Sequence, residues 1–196
     1  MKFATAILAL LATGSLVFSQ AAAGQQPGTG HVQLTMDLHG FTGPVTDLTF
    51  SPDGQFLAAA GGKEVRLYQV STGRLLKTLR GQIDNGSFGD CLAVAFSPDN
   101  CHLVVGISNY SSHGSLRVYD TDNFHQIDEL VAGHELPVTE LAFSSDARYL
   151  ATADAEGGIQ IFDWPLRKIV GRAEPRELSP QYKVFQFPLD DLFLVT

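Results

Sequence analysis

The sequence predicts an all-β fold built from repeated four-stranded units, and three observations carry this prediction. A Phe-Ser-Pro-Asp segment and looser copies of it begin at Phe50, Phe96, Phe143 and Phe187, at spacings of 46, 47 and 44 residues (96 − 50, 143 − 96 and 187 − 143). Each interval holds short apolar runs separated by turn residues, and no long window after the N-terminal run keeps a helical apolar period. A period in the forties with several strands per unit is typical of propellers and arrays, whose units bury their faces against one another.

The third unit shows most clearly how the residues form strands. Residues 137–143 alternate apolar and polar side chains, as a half-buried strand does. A Ser-Ser-Asp-Ala turn follows, and the small apolar residues of 148–153 suit a closely packed second strand. Residues 159–163 alternate again as a third strand, and residues 167–170 offer a fourth.

The first and second units repeat this order of four strands. Ser-Pro-Asp-Gly and Ser-Pro-Asp-Asn turns separate the first strand from the second in these two units. The predicted strands cover residues 45–50, 56–60, 65–68 and 75–79 in the first unit, and 92–96, 103–107, 116–119 and 126–130 in the second.

The N-terminus predicts a secretory signal peptide over residues 1–23. Met1-Lys2 gives a charged start, an apolar run follows, and small residues up to Ala23 supply a cleavage site. The alternative, an uncleaved membrane anchor, is disfavoured because the run is shorter than the roughly 20 apolar residues that a bilayer span needs. We therefore expect cleavage after Ala23, a flexible lead-in over residues 24–30, and a secreted or periplasmic protein.

The charge pattern narrows the classes of partner. The formal net charge is −8, and removal of Lys2 with the signal peptide makes it −9. Nucleic acids and anionic membrane surfaces are bound by clustered Lys and Arg, which this sequence does not show. We therefore expect neither nucleic acid nor, after signal cleavage, a membrane as the partner. The remaining 173 residues (196 − 23) suffice for one domain with a sizeable core.

Two cysteines in an exported chain invite a disulfide, but the predicted strand pairing separates them. In the predicted hairpin Phe96 lies near His102 or Leu103, so Cys91 faces roughly Ile107 and Cys101 faces roughly Ser97. The Cα atoms are then farther apart than the ~7 Å that a disulfide tolerates. We expect two free, largely buried thiols.

Several motifs at fixed spacing resemble the WD40 repeat. They are Gly133-His134 at the start of a unit, the Ser-Pro-Asp-Gly turn, and the pairs Tyr119-Asp120 and Phe162-Asp163 at the ends of third strands. The resemblance covers residues 31–196 and implies a partial WD40-like β-propeller of three four-stranded blades plus the start of a fourth. The implied blades are residues 38–80, 86–132 and 133–171, with a partial blade at 182–196.

The resemblance also implies residues that stabilise the blades. A polar network within the third blade would join His134 and Thr152, and Asp120 and Asp163 would close the third strands of their blades. Elsewhere the motifs are replaced, as Tyr68-Gln69 shows in the first blade. Divergent, bacterial-type repeats would fit this pattern.

The C-terminal copy suggests that the chain is the front part of a longer protein. The residues after Phe187 align with those after Phe50, which would place the end of the chain inside the second strand of a fourth blade. The remaining blades would then lie on a longer chain. The alternative is that two copies close one ring through their half-blades, although such a joint blade would lack a strand.

Two long connections predict where a partner binds. The loop that enters the second blade, residues 81–90, and the connection at 108–114 emerge on the same face of a four-stranded meander, beside one blade. Loops on a rigid scaffold are where binding concentrates, and aromatic side chains are common anchors; tolerated loop variation is the simpler alternative. The candidate partner-binding residues are Phe88, Asp90, Tyr110, His113 and Glu135.

The resemblance implies a non-catalytic scaffold that binds a protein or peptide partner through this face. The six histidines show no metal-ligand spacing, and no nucleophile elbow or phosphate-binding loop is found. We therefore predict no metal, no cofactor and no catalytic residues, and we expect Trp164 to pack against a neighbouring blade rather than to form a ligand box. The alternative is that the propeller belongs to a larger exported enzyme whose catalytic region lies beyond Thr196.

Overall fold

The computed structural model describes residues 44–80, 89–108 and 114–173. They form twelve strands in three antiparallel sheets, and each sheet is a meander whose strands are neighbours in chain order. The predicted signal peptide, the lead-in and the partial fourth blade lie outside the described residues. The strands are β1 Val45–Phe50, β2 Phe56–Gly61, β3 Glu64–Gln69, β4 Arg74–Arg80, β5 Cys91–Phe96, β6 His102–Ile107, β7 Ser115–Asp120, β8 Gln126–Val131, β9 Val138–Phe143, β10 Tyr149–Asp154, β11 Ile159–Asp163 and β12 Lys168–Ala173.

The prediction of an all-β fold with four-stranded sheets is confirmed, and the described residues contain no helix. Eleven predicted strands agree with the structure to within one residue at either end. The exception is β12, which ends three residues later than predicted, at Ala173. Backbone pairing with β11 continues through Gly171 and Arg172, although these residues are not apolar. Main-chain hydrogen bonds therefore extend this strand beyond its apolar run.

The three sheets, here called blades 1, 2 and 3 in chain order, are packed face to face. Side chains of β6 alternate between two cores: Leu103 and Val105 pack with residues of blade 1, and Val104 packs with residues of blade 3. Because successive side chains of a strand point to opposite faces, blade 2 is buried on both sides. The second strand of blade 1 is similarly buried, from Leu57 to Ala60.

The first strands of the blades adjoin, as strands around a common axis do. β5 lies in contact with β1 and β9. Each of the three first strands also carries a register shift at the same place, opposite the end of the second strand. The repeat in the sequence is therefore a repeat in three dimensions, down to its irregularities.

The repeated phenylalanines have equivalent backbone positions but unequal exposure. Phe50, Phe96 and Phe143 each end a first strand and pair with a leucine of the second. Phe96 is only 6 % exposed and Phe143 packs in the core between blades 2 and 3, whereas Phe50 is 40 % exposed. Phe50 lies on the side of blade 1 that no described blade covers.

Two glycines bring blades 2 and 3 close together at Val138. A Cβ atom built on Gly106 would lie 3.0 Å from Val138 Cγ1, and one built on Gly114 would lie 2.8 Å from Val138 Cγ2. Both distances are shorter than ordinary contacts between carbon atoms. The absence of side chains at these positions therefore lets Val138 pack directly against the backbone of blade 2.

The two cysteines are free, as the sequence predicted, but they are not both buried. Cys91 pairs with Ile107 and is 3 % exposed, and burial raises the pKa of its thiol to about 12. Cys101 is exposed, which corrects the expectation of burial. It precedes β6 in the turn after β5, so its side chain is not held between two sheets.

One turn structure joins the first and second strands of every blade. In blade 3 the Ser144 hydroxyl lies 2.7 Å from Asp146 Oδ1, which also accepts a hydrogen bond from Arg148 N at 2.9 Å. The same bonds recur at Ser51 in blade 1 and at Ser97 in blade 2. The turn places one residue in the left-handed region: Gly54 (φ 71°), Asn100 (φ 62°) or Ala147 (φ 58°).

This turn predicts opposite effects for two reciprocal substitutions. Ala147→Gly should stabilise the protein by about 0.5 kcal/mol, because relief of the left-handed strain, roughly 1–2 kcal/mol, exceeds the added entropy of the unfolded chain, roughly 0.5–1 kcal/mol. Gly54→Ala should destabilise it by a similar amount, since no atom lies within 4 Å of the new methyl group and the added strain again exceeds the change in entropy of the unfolded chain. Urea unfolding of both variants tests this, and stabilisation by Gly54→Ala would contradict it.

The candidate binding rim and its supporting network

The loops at one end of the blades form a continuous rim, here called the loop rim: residues 62–63, 89–90, 108, 114, 132–137 and 155–158. Backbone hydrogen bonds join these loops within blade 2 and between blades 2 and 3. Gly89 N donates to Ser108 O at 3.0 Å, and Ser108 N donates to Asp90 O at 2.9 Å. Gly114 N donates to His134 O at 3.2 Å, which ties blade 2 to the loop that enters blade 3.

These bonds bring together the bases of the two long connections. Asp90 ends the loop that enters blade 2, and Ser108 begins the connection between β6 and β7. Asp90 is half-buried and Glu135 is exposed on the adjoining loop. The other three candidate partner-binding residues, Phe88, Tyr110 and His113, lie outside the described residues. Their loops nevertheless leave the scaffold from hydrogen-bonded neighbours.

A polar network beneath the loop rim joins His134 to β10. His134 Nε2 lies 2.7 Å from Thr152 Oγ1, and His134 Nδ1 lies 3.1 Å from Asp154 Oδ2. Because a carboxylate only accepts hydrogen bonds, Nδ1–H of a neutral ring donates to Asp154 and Nε2 accepts from the Thr152 hydroxyl. Thr152 is fully buried and His134 is 2 % exposed, so the network lies inside the blade.

Asp154 also builds the turn between β10 and β11. Its Oδ1 accepts hydrogen bonds from Glu156 N at 3.0 Å and from Gly158 N at 2.9 Å. A Cβ atom on Gly158 would lie only 2.7 Å from Asp154 Oδ2, so the glycine makes room for the carboxylate. One aspartate thus fixes a rim turn and, through His134, the loop that enters the blade.

Burial keeps the His134 ring neutral near neutral pH. Desolvation lowers the pKa of His134 below its usual 6.5, and the opposing attraction of Asp154 does not restore it. The neutral ring is the form that the Thr152 bond requires.

Asp120 and Asp163 do not join this network. They lie at the opposite end of the blades, here called the turn rim: residues 51–55, 70–73, 97–101, 121–125, 144–148 and 164–167. Asp120 Oδ1 accepts from Asn123 N at 2.9 Å, and Asp163 Oδ1 accepts from Leu166 N at 3.1 Å. Both carboxylates therefore hold local turns between third and fourth strands.

Asp154 was not among the predicted residues, although the sequence carries a signal for it. Asp154 follows Thr152 by two residues on one strand, and residues at that spacing share a face. The equivalent positions of the first two blades hold Ala59 with Gly61 and Val105 with Ile107. The network is therefore confined to blade 3 among the described blades.

Trp164 packs between blades, as expected. Its ring makes edge contacts with Phe143 of blade 3, at 4.9 Å between centroids, and with His102 of blade 2, at 5.6 Å. It is 3 % exposed.

The described residues contain no group of three metal-ligating side chains. Equivalent positions of the first strands hold Asp47, Ala93 and Glu140, so two carboxylates share a register but the middle strand has none. Asp47 accepts hydrogen bonds from Leu48 N and Val94 N, so both oxygens of its carboxylate are bound to backbone donors. Within the described ranges, no helix is long and apolar enough to cross a membrane.

The described residues form repeated four-stranded meanders whose first strands adjoin, and the third meander holds a buried His–Thr–Asp network. This architecture defines a propeller-type repeat protein. The family model for the WD domain, G-beta repeat, matches residues 30–69, 73–120 and 126–163, which is more than half of the chain. The chain belongs to the WD40 repeat family. Proteins of this family are typically non-catalytic interaction scaffolds.

The chain is similar to several curated proteins. It is 24% identical over 132 residues to the COMPASS component SWD3 of Saccharomyces cerevisiae, covering 63% of this chain and 39% of that protein. It is 33% identical over 110 residues to the WD repeat-containing protein VIP3 of Arabidopsis thaliana, covering 51% and 33%. A guanine nucleotide-binding protein subunit beta of Oryza sativa is 22% identical over 136 residues, covering 68% and 35%.

The chain therefore spans between a third and two fifths of the length of these relatives. They come from yeast and plants and give no support to the expectation of bacterial-type repeats. Among solved structures, the RRP9 WD40 repeats and U3-55K both match with a TM-score of 0.61, at 20% and 19% identity. Each match covers 71% of this chain and about two fifths of the other, and it shows the fold alone.

The network predicts that two aspartates of blade 3 differ in their effect on stability. Asp154→Ala should cost about 1–3 kcal/mol, because it removes three hydrogen bonds and leaves buried His134 without its acceptor. Asp163→Ala should cost less, about 0.5–1.5 kcal/mol, since one turn bond is lost. Chemical denaturation of the two variants measures the difference, and an equal or larger loss at Asp163 would contradict the assignment.

Proposed function

We propose that this chain is a non-catalytic scaffold that binds a protein or peptide partner through the part of the loop rim beside blade 2. The observation that carries the proposal is the pair of backbone bonds that joins Gly89 and Asp90 to Ser108. They hold the bases of the two longest connections side by side, so both connections leave the rigid sheets at one place.

The surroundings of these connections favour binding. A rigid scaffold that presents variable loops concentrates binding in those loops. Phe88 and Tyr110 supply aromatic anchors, which contribute much of the affinity at many interfaces. Glu135 adds an exposed charge on the adjoining loop, and the Gly114–His134 bond fixes that loop against blade 2.

The proposal predicts that partner capture and stability respond separately to mutation at the rim. The double variant Phe88→Ala, Tyr110→Ala should capture several-fold less partner, as expected when interface anchors are truncated, while the melting temperature stays unchanged. Quantitative affinity purification with cross-linking, from the organism that makes the protein, compares the variant with the natural chain.

Ile127→Ala provides the matched control, because Ile127 is an apolar side chain that is 52 % exposed on the outer strand β8, away from the loop rim. Its variant should capture partner normally. If the rim variant lost stability and capture in parallel, these aromatic residues would serve the fold instead. If the Ile127 variant lost capture as well, the binding surface would lie elsewhere.

We further propose that the scaffold acts outside the cytoplasm. The proposal is supported by the order of a charged start, an apolar run and small residues within the first 23 residues. An exported scaffold would meet its partner after removal of this segment, and the loop rim would be unaffected because the first blade begins well after it.

Export predicts a defined N-terminus. When the full chain is produced in a secreting host, the N-terminal sequence of the released protein should begin at Gly24. Ala23→Leu should block or shift cleavage, since small residues are needed at the cleavage site, whereas Gln25→Ala should leave it unchanged. Recovery of the chain with Met1 intact, and only inside the cells, would overturn the proposal of export.

A further inference from the structure

The two junctions between blades use different side chains at one equivalent place on the turn rim. In the junction of blades 1 and 2, Phe124 reaches back from the turn after β7 and contacts Phe56, with ring centroids 5.3 Å apart. In the junction of blades 2 and 3, the equivalent residues are Arg167, in the turn after β11, and His102. An apolar contact in one junction is thus a contact between two basic side chains in the next.

The position of Arg167 requires a neutral His102. The Arg167 guanidinium lies over the Trp164 ring, 3.3 Å from its centroid, and Arg167 Nη2 lies 3.3 Å from His102 Nε2. Because a guanidinium only donates hydrogen bonds, His102 Nε2 must accept, and it cannot do so once it carries a proton. Arg167 is held there in the left-handed region, at φ 55°, at a cost in backbone energy.

The same junction depends on a second neutral histidine at the loop rim. His134 Nε2 accepts the Thr152 bond, and its backbone carbonyl accepts the bond from Gly114 of blade 2. Protonation of the ring removes the acceptor for Thr152 and places a charge in a buried site. The two histidines therefore lie at opposite ends of one junction, and both are required in the neutral form.

We propose that the junction between blades 2 and 3 is a pH-sensitive contact, which loosens when His102 and His134 take up protons while the junction between blades 1 and 2 stays closed. This inference does not depend on which partner the loop rim binds.

The charged groups around each histidine support this direction. His102 faces Arg167, Asp99 and Asp120; burial and then Arg167 lower its pKa, and the two carboxylates oppose them. His134 faces Asp154 and Arg172, and burial again lowers its pKa. The pKa of such a histidine is lower in the closed form than its free value of about 6.5. The closed form is therefore fully stable above pH 6.5 and loses stability as the pH falls, because the open form takes up the proton more readily. The open fraction rises by up to about tenfold per pH unit for each such histidine.

At the junction of blades 1 and 2, the pKa shift acts in the opposite direction. Asp47, a half-buried titrating group at this junction, accepts a hydrogen bond on its carboxylate from Val94 N at 2.8 Å. Burial raises the pKa of Asp47, so uptake of a proton is easier in the closed form and mild acid does not weaken this junction through Asp47. Lys77 adds bonds to the backbone carbonyls of Asn123 and Phe124.

The chain carries its own probe, because Trp164 is the only tryptophan and lies in contact with His102 and Arg167. Fluorescence of Trp164 in the full chain, followed from pH 8 to pH 5, should change reversibly with a midpoint below pH 6.5. Protection factors from hydrogen exchange measured by mass spectrometry, in which the intrinsic pH dependence of amide exchange is divided out, should fall in β6 and β9 between pH 8 and pH 5 and stay unchanged in β2.

Substitutions at the histidines separate this contact from general acid unfolding. His102→Tyr places the residue that blade 3 has at Tyr149, which keeps an aromatic ring and removes the titration; it should abolish most of the fluorescence change. His134→Gln should reduce the acid-induced loss of protection at β9. His125→Gln, at an exposed turn position, should leave both the fluorescence change and the loss of protection intact. If His102→Tyr does not fold at pH 8, Arg167→Gln replaces it and should shrink the acid response, because the charge that repels a protonated His102 is gone.

Three results would overturn the inference. They are a Trp164 signal that stays constant down to pH 5, an acid response that persists in both histidine variants, and an equal loss of protection in β2 and β9. A response confined to β6 and β9 that the histidine variants remove would establish it.

Discussion

The structure depends on the burial of each sheet between its neighbours. A single four-stranded meander exposes two faces and cannot bury either alone. In blade 2, successive residues of β6 enter two different cores, one shared with blade 1 and one with blade 3. At roughly 25 cal/mol for each Å² of apolar surface removed from water, a few leucine and valine side chains per face contribute several kcal/mol to each junction. The turns, the loop rim and the polar network all rest on sheets held in this way.

Hydrogen bonds fix the positions of the loops on these apolar-packed sheets. The His134–Asp154 contact places the loop that enters blade 3, and the Gly114–His134 bond places blade 2 against it. Loops that leave the sheets near these bonds start from fixed points, so less order has to be imposed when a partner binds. The same neutral histidine that fixes the rim makes this junction responsive to acid, which links the geometry of the proposed binding surface to the conditions around the protein.

Much of the fold could be predicted from the sequence, because strands and turns leave local patterns. The alternation in β9 and the Ser-Pro-Asp turns located the strands to within a residue in almost every case. Contacts between residues far apart in the sequence were harder to predict. Cys101 proved exposed because it lies in a turn. Asp154 was missed because its spacing from Thr152 places the two residues on one face but does not show the bond to His134, twenty residues away. The Arg167–His102 contact spans 65 residues and could be found only in three dimensions.

The contact of Gly106 and Gly114 with Val138 has a consequence for the curvature of the whole assembly. In a radial arrangement of sheets, the angle between neighbours determines how many fit in one turn, and a small change of spacing near the axis is amplified at the periphery. Two positions without side chains let one valine set that spacing. Near the axis, the separation of blades 2 and 3 is therefore set at this contact by the thickness of a single isopropyl group.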